Sequence, residues 1–423
     1  MDFTLYTDER LPYYHPMNRS LLLSLINEQE HTVRDPLWKD IPLGSSRYAL
    51  YRSAEMQTLG SIKQLGPTFG LYPGAVHTRL NHSLGVYYLG REILINLLRS
   101  EEHFAFTAEG VNAFLCALLL HDIGHFPYAH SLKDVITASH EAIGAAMIES
   151  SPNLRTLIDA CATSADLVCA IIDEDRPTDS GEIDLYRSIL SGTLDPDKLD
   201  YLNRDAFFCG VPYGIQDASY ITSKLCIADG TIALREEALA SVESLLFSKY
   251  LMYRNVYWHS RTRSSTAMVK KAVVALLASG RLEETELYGL DDERFFALVR
   301  QRGDSYSLVE AISKNQPYPT RYEVPIDTTV AYPSPVERHE HEEALCQTLG
   351  LEGGSIIIDV PEPISFEAHM PIADAAGNLV AAGPRSTVFG PDVQRAFTKS
   401  LRMLRIFSPV ALDAAAIAQA LEL

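Results

Sequence analysis

Ala113-Phe114-Leu115-Cys116-Ala117-Leu118-Leu119-Leu120 runs without a polar residue into His121-Asp122-Ile123-Gly124-His125. Eight apolar residues in a row, inside a segment (111–121) that is apolar nearly all round, predict a helix buried at the centre of a domain. Gly124 is then expected to end it, as glycine commonly does. A His-Asp doublet directly after such a run sets a costly charge beside a dry core, and buried charges are normally paired or bound to metal. His125 follows His121 by four residues and shares its face if the helix persists.

Imidazole is concentrated around this point. Seven of the thirteen histidines fall between residues 77 and 140, among them His77, His82, His103, His125, His130 and His140. A second acidic cluster, Asp195-Pro196-Asp197-Lys198, lies far along the chain. Asp197 precedes a predicted helix over 198–209, where negative charge is favoured, or acts simply as its cap. One His, a His-Asp doublet and a remote Asp make a ligand set for a hydrolytic divalent ion, and Mg, Mn, Fe, Zn, Ni and Co all remain open. Only tertiary packing brings such residues together.

Further out, Leu84, Tyr87, Tyr88, Ile95 and Leu98 repeat near 3.6 residues and predict a helix over 80–100, interrupted by Arg91. Helices are also expected over 140–150, 154–164, 165–173, 237–259, 263–279 and 306–314. Residues 1–50 read as irregular, with turns at Pro12, Pro16, Pro36 and Pro42 around extended pieces such as 32–34. After about 275 the composition shifts: 354–360 is β-branched like a strand, 372–382 reads as a hairpin turning at Gly377-Asn378, and 393–407 as a closing helix or mixed segment. The fold class is therefore mainly α, a large helical core (1–275) with a smaller α+β C-terminal lobe (276–423).

Composition narrows the function. A hydrophobic share of 47% and a charged share of 22% belong to an ordinary globular chain. A net charge of −19 argues against nucleic acid as a default partner, since phosphate backbones require clustered Lys and Arg. The longest apolar run, 113–120, is too short to span a bilayer. Six cysteines without a CxxC pair, and a Met1-Asp2 start without a basic-then-apolar segment, lead us to expect reduced thiols and a cytoplasmic protein.

Five separated blocks, Ile62-Lys63-Gln64-Leu65-Gly66, Tyr72-Pro73-Gly74-Ala75, 77–86, 121–130 and 194–213, resemble those of the HD-domain phosphohydrolases in family order. Within that superfamily the chain is most similar to the deoxynucleoside triphosphate triphosphohydrolases, over about residues 30–275. The resemblance implies a helical HD-domain core with His82, His121, Asp122 and Asp197 as metal ligands. It implies attack at the α-phosphorus, with release of nucleoside and inorganic tripolyphosphate, and His140 with Glu141 as the general acid. His125 and His130 are implied as donors near the α-phosphate, and Arg79, Lys198 and Arg254 as triphosphate contacts. Gln64, Leu65, Tyr201 and Asp205 are implied at the sugar, and homo-oligomerisation (dimer or tetramer) is implied for the assembly.

The chain departs from the family at several points. Phe126 stands for a small glycine, and Lys133, with Asp134 one step later, for an aspartate. Arg52 and Gly60 stand where the nucleotide-activated vertebrate members read an activating guanine, with only Gln57 matching. The tyrosine that helps exclude ribose has no counterpart near Thr262. Rival readings are an HD hydrolase for a monophosphate, cyclic dinucleotide or alarmone, and a catalytically idle nucleotide-binding scaffold. His339-Glu340-His341 reads as solvated, because residues two apart diverge on a helix.

Overall fold

The computed structural model describes residues 19–100, 104–304, 306–326, 334–362, 364, 371–380 and 391–420. Pro12, Pro16 and His103 lie outside the described residues, as do 381 and 382 of the expected hairpin. The architecture is mainly α, with three small sheets, and its C-terminal part is α+β.

The apolar run forms helix Ala108–Leu120, capped by Thr107, which accepts from Gly110 N. Every residue from Gly110 to Leu120 is buried. Helix Arg79–Ser100 packs along it and turns a mostly buried surface to the core. Arg91, the interruption in its pattern, is buried too. It donates to Ile26 O at 3.0 Å and Asn27 Oδ1 at 2.7 Å and pairs with Glu92 at 2.6 Å, so both its donors and its charge are satisfied. Helices His140–Ser150, Ala165–Ile172 and Gly181–Leu190 close around this pair, and helix Pro196–Cys209 lies against Arg79–Ser100.

Several expectations need correction. Residues 19–50 are largely regular: helix Arg19–Ile26, an antiparallel pair β1 (His31–Asp35) and β2 (Lys39–Leu43), and helix Ser45–Tyr51. Leu22, Ile26, Ile41 and Leu43 are buried in the main core, so tertiary burial overrides the proline-rich composition. The expected 237–259 helix is broken. Leu239–Met252 is α-helical, a π-turn follows over Tyr253–Tyr257, and His259 caps a new helix, Ser260–Ala278. Gly124 does not cap a helix: the Ala108–Leu120 helix stops before His121, and residues 121–124 form turns. The expected 154–164 helix is shorter and earlier, Pro152–Asp159.

A hairpin that pattern reading missed, β3 (Leu225–Ala228) and β4 (Thr231–Arg235), turns at Asp229-Gly230, both at positive φ. An Asp-Gly pair between apolar runs signals such a turn, so the information was present. Further on, β5 (Thr320–Pro325), β6 (Ile357–Asp359) and β9 (Met403–Phe407) form one sheet in the order β5-β9-β6. The short strands β7 (Ile372–Ala373) and β8 (Leu379–Val380) extend the β3-β4 pair, with Gly377 in the turn between them. A second core joins Phe126 and Leu132 to Met268, Phe295 and Phe407, so helix Ser260–Ala278 is shared by the helical core and the later elements. Among the described residues no helix is long and apolar enough to cross a membrane.

Candidate metal centre

His82 sits in the first turn of helix Arg79–Ser100, and His121 and Asp122 sit just past the end of Ala108–Leu120. One ligand atom from each lies within 4.8 Å of the others. His121 Nδ1 lies 3.0 Å from Leu118 O, which fixes the proton there. Its Nε2 is buried and has no hydrogen-bond partner. His82 is held the same way: Nδ1 meets Asp200 Oδ2 at 2.8 Å, and Nε2 faces Asp197 Oδ1 at 2.8 Å. Asp122 Oδ2 accepts from Arg79 Nη1 at 2.8 Å, leaving Oδ1 3.5 Å from His121 Nε2. Two imidazole nitrogens and the Asp122 carboxylate therefore point at one spot, while Asp197 meets the group only through His82 and lies outside the three-residue cluster. Such a borderline N/O donor set fits a divalent ion.

The electrostatics agree with that reading. Burial opposes a charge on His82, yet its hydrogen bonds to Asp197 and Asp200 outweigh burial and push its pKa up to about 10. A cation at this spot displaces that proton, as metal binding to histidine generally does. Burial also opposes charge on Asp122, but His125 and Arg79 beside it hold its pKa well below the usual carboxylate range.

The helix N-terminus differs from expectation in one respect. Asp195, not Asp197, is the cap of Pro196–Cys209, accepting from Lys198 N at 2.6 Å. Asp197 is thus free of capping duty and turns toward His82. Lys198 Nζ is bound to Asp195 Oδ2 at 2.6 Å and Gly192 O at 2.8 Å, so it borders the site while facing the cap.

A histidine cluster lies beside the ligands. The ring centroids of His125 and His140 are 3.9 Å apart, and those of His125 and His130 are 4.8 Å apart. With the helix ended, His125 reaches this cluster through the 121–124 turns rather than along a helix face. Burial, aided by Arg79 and His140, drives His125 well below its ordinary value, and the same neighbours lower His130, whose side chain is exposed at the cavity. Burial lowers His140 as well, although Glu141 opposes it. Glu141 Oε1 lies 3.1 Å from His140 Nε2. Asp134 takes no part in this cluster: it pairs with Lys270 and with Arg338 at 2.8 Å. A second group, Asp122, His125 and His140, also has ligand atoms within 4.8 Å.

These residues open into one cavity of about 720 Å3. Gln64, Leu65, Tyr201 and Asp205, the expected sugar contacts, are among its lining residues. Gln64 Oε1 is buried without a partner. Asp205 holds His77 Nε2 at 2.7 Å and accepts from the Tyr257 hydroxyl at 2.7 Å. Tyr257, which sequence reading did not assign, is thereby held in the cavity wall beside Asp205. Lys249, Arg263, Lys270 and Lys271 line the cavity, as does Arg338. Arg254 does not. It is exposed beside Tyr250, because Lys249, Tyr253 and Tyr257 share the inward face and residue 254 is turned away from it. His339 is half-buried on the cavity wall rather than solvated, while His341 is exposed.

Comparison with known proteins places this geometry. A model of the HD domain matches residues 79–203, the stretch that carries His82, His121, Asp122 and Asp197. The chain is an HD-domain protein. An HD-associated region matches residues 216–388. An uncharacterised protein of Methanocaldococcus jannaschii is 30% identical over 294 residues, 68% of this chain and 58% of its own. The deoxynucleoside triphosphate triphosphohydrolase SAMHD1 of Bos taurus is 23% identical over 271 residues, 56% of this chain and 46% of its own. The chain thus spans about half the length of these relatives. A phosphohydrolase crystal structure from Bacteroides thetaiotaomicron aligns with a TM-score of 0.70 at 23% identity, over 90% of this chain and 100% of that one, which speaks for a shared fold.

Proposed function

We propose that this HD-domain protein hydrolyses deoxynucleoside triphosphates to deoxynucleoside and inorganic tripolyphosphate. In this reading His82, His121, Asp122 and Asp197 hold the divalent ion, residues 1–275 carry the chemistry, and 276–423 close one wall of the cavity. The observation that carries it is the unpartnered His121 Nε2 facing Asp122 and His82, in a cavity also lined by Lys249, Arg263, Gln64 and Asp205. When bound, a divalent ion polarises a phosphoryl oxygen and lowers the pKa of water.

The chain's own residues supply the rest. Arg79 fixes Asp122, while His125 and His130, whose Nε2 atoms meet at 3.2 Å, stand where a phosphate would enter and can turn an N–H toward it. Lys249 and Arg263 bring charge to the remaining phosphates. Burial keeps His140 uncharged until a polyanion enters, and the negative phosphate then favours its imidazolium form. Glu141 orients that ring, so His140 can hand its proton to the departing nucleoside 5′-oxygen. Gln64 and the Asp205–Tyr257 pair face the sugar.

A second reading, hydrolysis of another phosphoester, draws on the Asp122–His125–His140 group, which shares Asp122 with the first and suits two-ion chemistry. Product analysis separates the two. Metal-loaded protein incubated with a dNTP mixture releases tripolyphosphate and nucleoside if the α-phosphorus ester is cut; release of phosphate or pyrophosphate rejects the proposal. Asp122→Ala is expected to lose both bound metal and turnover, and turnover without metal rejects the ligand assignment.

A further inference from the structure

Asp200 is completely buried and does not line the cavity, yet it touches His82 directly. Its two oxygens collect four donors. Oδ2 takes His82 Nδ1 and Arg204 Nε, each at 2.8 Å. Oδ1 takes Arg204 Nη2 at 2.9 Å and the indole N–H of Trp38. Arg204, also completely buried, continues to Asp35 Oδ2 at 2.8 Å. The other oxygen of Asp35 accepts from Leu37 N and Trp38 N, both at 2.8 Å, and so holds the turn between β1 and β2.

A line of buried hydrogen bonds therefore runs from that turn to a ring nitrogen of His82. Helix Arg79–Ser100 is shaped to admit it: a Cβ on Gly85, one turn beyond His82, would lie 1.8 Å from Asp200 Oδ1 and 2.6 Å from Arg204 Nη2. One guanidinium between two carboxylates leaves net negative charge behind the imidazole, which favours a cation at its other nitrogen.

We propose that Trp38, Asp35, Arg204 and Asp200 are positioning residues for the metal centre, and that docking of the β1–β2 turn and occupancy of the site strengthen each other. Hydrogen-bond partners behind a ligating histidine fix its tautomer and orientation, and their loss typically lowers metal affinity about 10–100-fold. Any ligand that grips the site better with the turn docked must, by linkage, hold the turn better when bound. Nothing in the pattern of residues 31–43 points to a role at His82, because the connection exists only through Asp200 and Arg204. The inference rests on the ligand set proposed above, but not on the substrate.

Trp38→Phe removes one N–H and keeps a ring to stack on Tyr88, whose centroid lies 5.8 Å from that of Trp38. Asp35→Asn is the second variant. Affinity of each for Mn2+ alone is read by chelator competition, and amide hydrogen exchange of residues 31–43 is followed with and without Mn2+. We expect about tenfold weaker Mn2+ binding in either variant. In wild type Mn2+ should slow exchange in the turn, and His82→Gln should abolish that slowing. Unchanged Mn2+ affinity with a melting temperature lowered equally in both metal states would mean a merely structural network and overturn the inference. Wild-type protein that binds no Mn2+ at His82 would overturn the ligand set instead.

Discussion

Gly124→Ala tests whether the 121–125 turn and helix His140–Ser150 must meet at backbone distance. A Cβ at position 124 would lie 2.0 Å from His140 O, 2.4 Å from Gly144 N and 2.9 Å from Gly144 Cα. Carbon contacts settle at about 3.5 Å, so the two segments must part by about 1 Å or more. Neither neighbour is a flexible side-chain end, and the displaced segments carry Asp122 and His125 on one side and His140 on the other. Misplacing reacting groups by about 1 Å costs on the order of 100-fold in rate, and overpacking costs about 1–3 kcal/mol in stability. Tripolyphosphate release under saturating substrate should therefore fall about 100-fold, with a lower melting temperature. Gly144→Ala is the milder comparison: its Cβ would lie 3.3 Å from Gly124 N and from Ile123 Cγ2, so the same contact need yield only a few tenths of an ångström and turnover should fall far less. Gly124→Ala protein with wild-type turnover would refute the claim that this contact positions the histidines.

The cationic wall offers a direct contrast: Lys249→Ala should raise KM about tenfold, while exposed Arg254→Ala stays within about twofold, and the reverse order would return Arg254 to the phosphates. A pH effect follows from His130, whose folded pKa of about 3 lies below its unfolded value. The unfolded chain binds the extra proton between roughly pH 6.5 and 3, so stability falls as pH drops through that window, by an amount that solvent screening of the exposed ring reduces. Denaturant melts of metal-free His130→Gln should show a flatter acid limb than wild type; identical slopes would contradict a lowered His130 pKa.

Much of the site was legible because its residue types are rare in apolar company. His121-Asp122 after eight apolar residues, and the clustering of imidazole, marked a place where polar groups need a reason. Periodicity showed the Arg79–Ser100 and Ala108–Leu120 helices, since each buries nearly a whole surface. It failed at 237–259, where a π-turn continues the apolar pattern while changing its direction, and this sent Arg254 outward and Tyr257 inward. It failed again at 19–43, where burial of Leu22, Ile26, Ile41 and Leu43 outweighs local proline chemistry.

The linear order of residues determined that this chain is a helical protein with a concentrated His/Asp set, because helix periodicity and the cost of buried charge are local properties. Which nitrogen of His82 faces the site was decided only in three dimensions. Asp200 holds the other nitrogen from a different helix, a hydrogen bond that exists only once the helices pack, whereas Leu118 O holds His121 locally, from three residues before it. The same packing placed a Trp–Asp–Arg–Asp line behind His82, joining residues more than 160 positions apart that no spacing rule connects.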